Sequence, residues 1–304
     1  CQKDTTLIIT EPDNGVSVTG ETSQADAGPY QISCFEGNDG SISIVASGGT
    51  EVYTYEWSNG ETTQDINSLT AGSYSVIITD SNGCTTDTTF VLDDPEILES
   101  GITITNSEEE FNGFGVQCAD NENGIIDLDI TGGVEPYQYT WSNDEETQDI
   151  SNLTPGWYVV DVIDANGCEV TDSIEIIAPT ELILTADFDE FNGFGVECEG
   201  DQDAIITTLV SGGVEPYTWN WSTGDTSQDL ENIGAGTYTI TVTDDNGCQK
   251  DTTLIITEPD NGVSVTGETS QVEGPYQISC FQGNDGSIDI EPAGGTEVYT
   301  YEWS

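Results

Sequence analysis

The chain is written in short runs in which apolar and polar residues alternate, divided by clusters of Gly, Asn and Asp. GSISIVASGG (40–49), VYTYEWS (52–58), GSYSVIITD (72–80) and CTTDTTFVL (84–92) are rich in β-branched and aromatic residues. A period of two puts one set of side chains on a buried face and the other in water, which is the pattern of a half-buried strand. No stretch shows a helical apolar period with caps. The runs predict an all-β chain with about seven short strands per repeat, the content of an immunoglobulin-like (PKD- or fibronectin-like) β-sandwich.

The pattern recurs along the chain. Residues 1–24, CQKDTTLIITEPDNGVSVTGETSQ, return letter for letter at 248–271, a displacement of 247 residues. Aligned on Asn-Gly-Cys, the segments end at Pro12, Pro95, Pro179 and Pro259, at intervals of 83, 84 and 80 residues. The duplicated opening is thus a super-repeat of three modules. The expected domains are the end of a preceding module (1–12), three complete modules (13–95, 96–179 and 180–259) and an incomplete one (260–304). Repetition at domain-sized spacing means modules strung end to end rather than a solenoid. The chain contains no Met and opens at a cysteine inside a strand-like run, so it reads as an excerpt.

Trp57, Trp141, Trp221 and Trp303 recur inside Tyr-x-Trp-Ser, where the central strand of such a sandwich carries its core aromatic. Leu69-x-x-Gly72-x-Tyr74, Leu153-x-x-Gly156-x-Tyr158 and Ile233-x-x-Gly236-x-Tyr238 have the spacing of a tyrosine corner opening strand F. All seven aromatic residues are expected in cores.

Charge narrows the partners. Against 58 acidic residues stand Lys3 and Lys250, for a net charge of −56. Such a surface repels nucleic acid and anionic membrane and attracts divalent cations. No run reaches the length of a membrane-spanning helix, so direct membrane insertion is not expected. There is no histidine, nucleophile elbow or phosphate-cradling glycine loop, and no unique set of pocket residues, so catalysis is not expected.

Cysteines stand at 1, 34, 84, 118, 168, 198, 248 and 280, with none of the close spacings of a zinc site. They read as disulfides in an oxidising, extracellular setting. Cys34 and Cys84, Cys118 and Cys168, and Cys198 and Cys248 are each 50 residues apart, which invites pairing within modules. Each such pair, however, joins the A–B loop to the start of strand G, at opposite poles of a sandwich about 20 Å long, and a disulfide needs Cα atoms within about 7 Å. Pairing across junctions, Cys34–Cys168 and Cys118–Cys248, fits better. It leaves Cys1 and Cys84 facing an earlier module and Cys198 and Cys280 a later one. A short or displaced first strand would restore the within-module pairing.

The stretch TGGVEPYQYTWSNDEETQDISNLTPGWYVVDVIDANGC (131–168) resembles the SprB repeat, through its Gly-Gly, Pro-Tyr-x-Tyr-x-Trp-Ser, Thr-Gln-Asp-Ile, Leu-x-x-Gly-x-Tyr and Asp-x-Asn-Gly-Cys elements. The other complete modules carry them with small departures: Ser227-Gln228-Asp229-Leu230 in one, and Thr50-Glu51-Val52-Tyr53, which lacks the proline, in another. The resemblance implies an exported protein of giant surface adhesins in gliding bacteria, a type IX secretion cargo serving adhesion or gliding. It assigns no active site.

Two acidic turns recur per module. One set holds Asp39, Asp120 with Glu122, and Asp201 with Asp203; the other holds Asp80, Asp164, and Asp244 with Asp245. Ordinary turn chemistry accounts for Asp, Asn and Gly there. The alternative is structural calcium, held where the A–B turn of one module meets the F–G turn of the next. No cofactor is required. Strand G carries Asp-Thr/Ser triplets at Thr5, Thr88, Ser173 and Thr252, which resemble an O-glycosylation acceptor of the same bacterial phylum. EFNGFGVQC (110–118) and EFNGFGVEC (190–198) place Phe111, Phe114, Phe191 and Phe194 in Gly-rich loops, read as packing on a neighbouring module or as an exposed contact.

The sequence therefore leads to an extracellular, cell-surface stalk that lends an adhesin length and stiffness. Its partners are further copies of its own modules and surface polysaccharide or other filament chains. The alternative is a subunit of a self-assembling filament of several laterally associated chains.

Overall fold

Three of the repeats each fold as two three-stranded antiparallel sheets. The computed structural model describes residues 14–105, 111–259, 262–271, 277–279, 282–294 and 298–304. The first repeat comprises β1 (Ser17–Thr22), β2 (Gly40–Ser47), β3 (Thr54–Trp57), β4 (Ile66–Leu69), β5 (Gly72–Thr79) and β6 (Thr85–Leu92). One sheet has the order β1-β2-β4 and the other β3-β5-β6. In immunoglobulin lettering these are A-B-E and C-F-G.

The order repeats with β7 (Glu99–Ile104), β8 (Gly124–Thr131), β9 (Gln138–Trp141), β10 (Ile150–Leu153), β11 (Gly156–Ile163) and β12 (Glu169–Ile176). It repeats again with β13 (Ile183–Phe188), β14 (Ala204–Ser211), β15 (Thr218–Trp221), β16 (Leu230–Ile233), β17 (Gly236–Thr243) and β18 (Gln249–Ile256). Each sandwich has six strands rather than the expected seven. The link from strand C to strand E, Ser58 to Asp65 in the first repeat, is polar and makes turns, too short and too hydrophilic to add a strand D.

The residues fall into two compact units, Cys1–Thr105 with Glu122–Ile176, and Asn106–Asn121 with Ile177–Ser304. The first holds β1 to β12 and the second β13 to β18 with the two strands of the last repeat, Ser264–Thr269 and Ile288–Ala293.

Alternation explains the cores. In the first sandwich Ile42, Ile44, Trp57, Ile66, Val76, Ile78 and Leu92 are buried together with Ile32, which reaches in from the A–B loop. In the third, Val196 from the corresponding loop joins Ile206, Trp221, Leu230, Ile240, Val242 and Ile256. The indole N–H groups of Trp57, Trp141 and Trp221 donate to the carbonyls of Thr63, Thr147 and Ser227 at 2.9, 2.8 and 2.9 Å. Burying these three indoles therefore leaves none of their own donors unpaired. The hydroxyls of Tyr74, Tyr158 and Tyr238 donate to the carbonyls of Thr70, Thr154 and Gly234 at 3.0, 2.9 and 3.0 Å, four residues upstream in each case, which is the geometry of a tyrosine corner.

Trp303 departs from the expectation of a core residue: it is 64% exposed. Among the described residues of its repeat only β19 (Ser264–Thr269) and β20 (Ile288–Ala293) form strands, and no second sheet faces the indole.

Candidate functional site: the junction between repeats

The A–B loop of each sandwich is built to face two ways. Ile32 and Cys34 are two residues apart, as are Val116 and Cys118, and Val196 and Cys198. Ile32, Val116 and Val196 are fully buried, and the bend that follows carries each cysteine away from its own core.

In the first unit, the loop around Cys34 meets the F–G turn 164–168. Cys34 and Cys168 form a disulfide, with Cα atoms 5.7 Å apart and 134 residues between them in sequence. Asn166 stands beside the bond. Its Oδ1 accepts from the Ala27 amide at 2.7 Å, and its Nδ2 donates to the Ser33 carbonyl at 3.1 Å.

The second unit repeats the arrangement. Cys118 and Cys248 are bonded with the same Cα separation, 5.7 Å. Asn246, 6% exposed, donates from Nδ2 to the carbonyls of Phe111 and Gln117 at 3.3 and 3.2 Å, and Gln117 returns a bond from Nε2 to the Asn246 carbonyl at 2.8 Å. The incoming loop ends in a turn whose central residues Asn112 and Gly113 both have positive φ, closed by Phe114 N–H to Phe111 C=O at 3.0 Å. Asn-Gly suits that conformation. At its tip Asn112 Nδ2 donates to Asp245 Oδ2 at 3.0 Å and to Asn246 Oδ1 at 2.6 Å. The Phe111 carbonyl and the Asn112 side chain thus join Gln117 in making this loop's polar contacts across the junction.

Cys84 and Cys198 are free and exposed, while Cys1 and Cys280 lie outside the described residues. Desolvation, followed by the Asp201 and Glu197 carboxylates, pushes the Cys198 thiol above its ordinary pKa.

The acidic residues expected to hold calcium do other work. Asp80, Asp164 and Asp244 are buried, at 4%, 2% and 5% exposure. Oδ1 of Asp164 accepts the amides of Asn166 and Cys168, both at 2.9 Å, and Oδ2 accepts that of Val134 at 2.9 Å. Asp80 does the same with Asn82, Cys84 and Thr50, and Asp244 with Cys248 and Val214. The Thr50 amide, then that of Cys84, holds the Asp80 carboxyl below its ordinary range. These oxygens point at their own backbone and accept its amides, which is the turn chemistry the sequence also offered for them. The contact also explains the Gly-Gly motif. A Cβ on Gly133, at φ +60°, would lie 2.9 Å from Asp164 Oδ2, so the carboxylate reaches the Val134 amide only past a glycine.

Asp39 is likewise engaged at home: it accepts the Ser33 amide at 3.1 Å, and the Ser33 hydroxyl foremost holds its carboxyl below the usual range. Asp203 accepts the Glu197 amide at 3.4 Å and Asp245 takes the Asn112 amide group. Asp120, Glu122 and Asp201 are exposed. No group of three or more acidic or cysteine side chains converges to hold a metal among the described residues.

The strand G hydroxyls also divide. Ser173 is exposed, whereas Thr88 and Thr252 are half-buried because they pair with Val76 and Ile240 on the inward side of the sheet. Period two makes them poor acceptors for a bulky sugar. Thr5 lies outside the described residues.

The junction asparagine escaped the sequence reading, which took it for a turn residue. A signal was present: Asn82, Asn166 and Asn246 recur two residues before cysteine while the residue before them changes from Ser to Ala to Asp.

The SprB repeat model matches residues 29–62, 116–145 and 273–304. No curated protein matches the chain in sequence. Among solved structures, the chain is similar to the N-terminal eight immunoglobulin domains of Down Syndrome Cell Adhesion Molecule, at 10% identity over 89% of this chain and 55% of that one, with a TM-score of 0.31. The chain thus spans little more than half the length of that structure. It is also similar to a structure from a 1.5-MDa bacterial ice-binding adhesin (14% identity, 81% of this chain and 98% of that one, TM-score 0.37). A tetra-tandem repeat in the extending region of a large adhesion protein is similar at 14% identity, over 93% and 92% of the two chains, with a TM-score of 0.23.

Proposed function

This chain carries SprB-type repeats, and from that premise we propose that it is a stretch of an extracellular, adhesin-like repeat protein whose modules form a stapled stalk. The observation that carries the reading is the junction. The F–G turn of one sandwich is tied to the A–B loop of the one before it by a disulfide and by the asparagine beside it. Such a joint contributes no chemistry, but it resists bending and separation, which is what a tether between a cell and a surface requires. Disulfides also suit an oxidising exterior. The net charge of −56 makes neighbouring segments repel and favours an extended chain.

The finer reading follows the family: export to the surface of a gliding bacterium, with a role in attachment or movement. Immunogold labelling of producing cells tests it. Label along thin surface fibres, with attachment lost when the coding sequence is deleted, is the expected result; label confined to the cell interior sinks the proposal.

A second reading, lateral association of several chains, is favoured by apolar side chains on the outer faces of the strands, including Val45, Trp157, Leu209 and Ile255, each at least 60% exposed. Fibres several modules thick in the same micrographs would select it.

A further inference from the structure

The outer face of the C-F-G sheet in the second repeat differs from its counterparts in a coordinated way. Trp157 of β11 stands there 63% exposed, with Val159 next to it on the same face. The residues equivalent to Trp157 are Ser73 and Thr237. Directly across on β12, Glu175 pairs with Trp157, where the other repeats have Val91 and Ile255. Asp161 follows on the same face of β11, in place of Ile77 and Thr241. The C–E turn adds two more carboxylates. It leaves the sheet at Ser142, whose amide donates to the Val159 carbonyl at 2.8 Å, so the turn lies toward the Trp157 end of β11. In that turn Asp144 replaces Gly60 and Gly224, and Glu146 replaces Thr62 and Thr226. Asp144 keeps the left-handed backbone, φ +66°, that the two glycines adopt at +90° and +87°. Aspartate tolerates that conformation less well than glycine, so a charge is held there against the local preference.

The chain has little of its own to answer these charges. It contains no arginine, Lys250 is paired with Glu181 at 3.2 Å, and Lys3 lies outside the described residues. The carboxylates do not converge into a metal site among the described residues, and an indole adds nothing to the oxygen shell of a divalent ion. A second copy of the same face would bring like charges together, which opposes self-association there. An exposed indole flanked by carboxylates is satisfied by an organic cation. Arginine fits most fully, because its planar guanidinium stacks on the aromatic face and donates in a fork to a carboxylate.

We propose that this face of the second repeat is a docking surface for a basic partner protein, which lays an arginine on Trp157 and pairs it with Glu175. Further basic residues of the partner meet Asp161, Asp144 and Glu146. β9 is an edge strand of the same sheet, so an extended segment has a place to lie alongside. The stalk reading requires no such face, and the two stand or fall separately.

The test is isothermal titration calorimetry of the full chain with a short synthetic peptide carrying arginine at alternate positions, at physiological salt, where diffuse attraction is screened. Trp157→Ser, which installs the residue of the first repeat, should lower the affinity about tenfold. Its Tm should match that of the parent, because the side chain lies outside the core. Glu175→Val should act in the same direction, and a lysine version of the peptide should bind more weakly. Asp87→Asn, which removes an outer-face carboxylate of the first repeat, should change the affinity by no more than about twofold. Unchanged affinity in Trp157→Ser, or equal losses from Asp87→Asn and Glu175→Val, would reduce the effect to diffuse charge and overturn the site. Tighter, Trp157-dependent binding of chitosan oligomers would give the face to a glycan instead. Trp157-dependent self-association without peptide, read by sedimentation, would give it to a second copy; either result overturns the protein partner.

Discussion

Gln117 and Asn246 exchange hydrogen bonds across 129 residues of sequence: each side-chain amide donates to the other's backbone carbonyl, at 2.8 and 3.2 Å. With the Cys118–Cys248 bond beside them, they make the joint a small interface rather than a lone covalent tie. Asn246→Ala removes the side-chain bonds to Phe111, Gln117 and Asn112 and should cost about 3 kcal/mol at about 1 kcal/mol each. Faster reduction of Cys118–Cys248 by dithiothreitol is the expected readout. A rate equal to that of the unmodified chain would mean that the disulfide alone holds the joint.

The two disulfides interleave, since Cys118 lies between Cys34 and Cys168. The shortest covalent route from Cys34 to Cys248 therefore crosses to Cys168, runs back over the 50 residues to Cys118, and crosses again. At roughly 3.4 Å per residue, that route extends to about 170 Å, against about 730 Å for the full stretch between the two residues. Single-molecule pulling should show the short limit in oxidising buffer and the long one after reduction. The same limit in both conditions would mean that the two disulfides carry none of the tension.

Asp164 holds three amides from inside the turn. Asp164→Ala leaves those donors without an acceptor and should destabilise its sandwich by about 3 kcal/mol or more, read by chemical denaturation. For Asp80, the folded carboxyl titrates below its ordinary range. Its stabilising contribution is therefore complete above the unfolded carboxylate pKa, about 3.9, and disappears as pH falls through the lower folded value. Asp80→Asn should be less stable than the parent at neutral pH and approach it under acid. A gap that stays constant with pH would refute the linkage.

Tyr158→Phe deletes the hydroxyl that closes the corner on Thr154, a loss of about 1 kcal/mol. Trp221→Ala opens a large hole in the third core and should cost about 4 kcal/mol. Calorimetry separates the two as a small and a large fall in Tm, and equal shifts would contradict the burial described.

Cys198 should alkylate more slowly than a model thiol at neutral pH, because its raised pKa leaves less of the reactive thiolate. The difference should narrow as pH climbs. Iodoacetamide kinetics followed by mass spectrometry would show it, and a rate at or above that of the model thiol would contradict the shift.

The strands, the repeats, the Trp57, Trp141 and Trp221 cores and the tyrosine corners were legible in the sequence. Alternation, turn residues and fixed spacings are local signals, read within a few residues of each other. Asp80, Asp164 and Asp244 show the limit of that logic. A carboxylate in a turn looks the same on paper whether it faces water, a cation or three amides, and only the folded backbone decides which.

The cysteine pairs belong with these tertiary decisions. Sequence alone set Cys34 and Cys84 the same 50 residues apart as Cys118 and Cys168 and left two pairings open. The fold chose, because a disulfide forms only between Cα atoms a few ångströms apart, and the sandwich carries the A–B loop of one repeat to the F–G turn of the next.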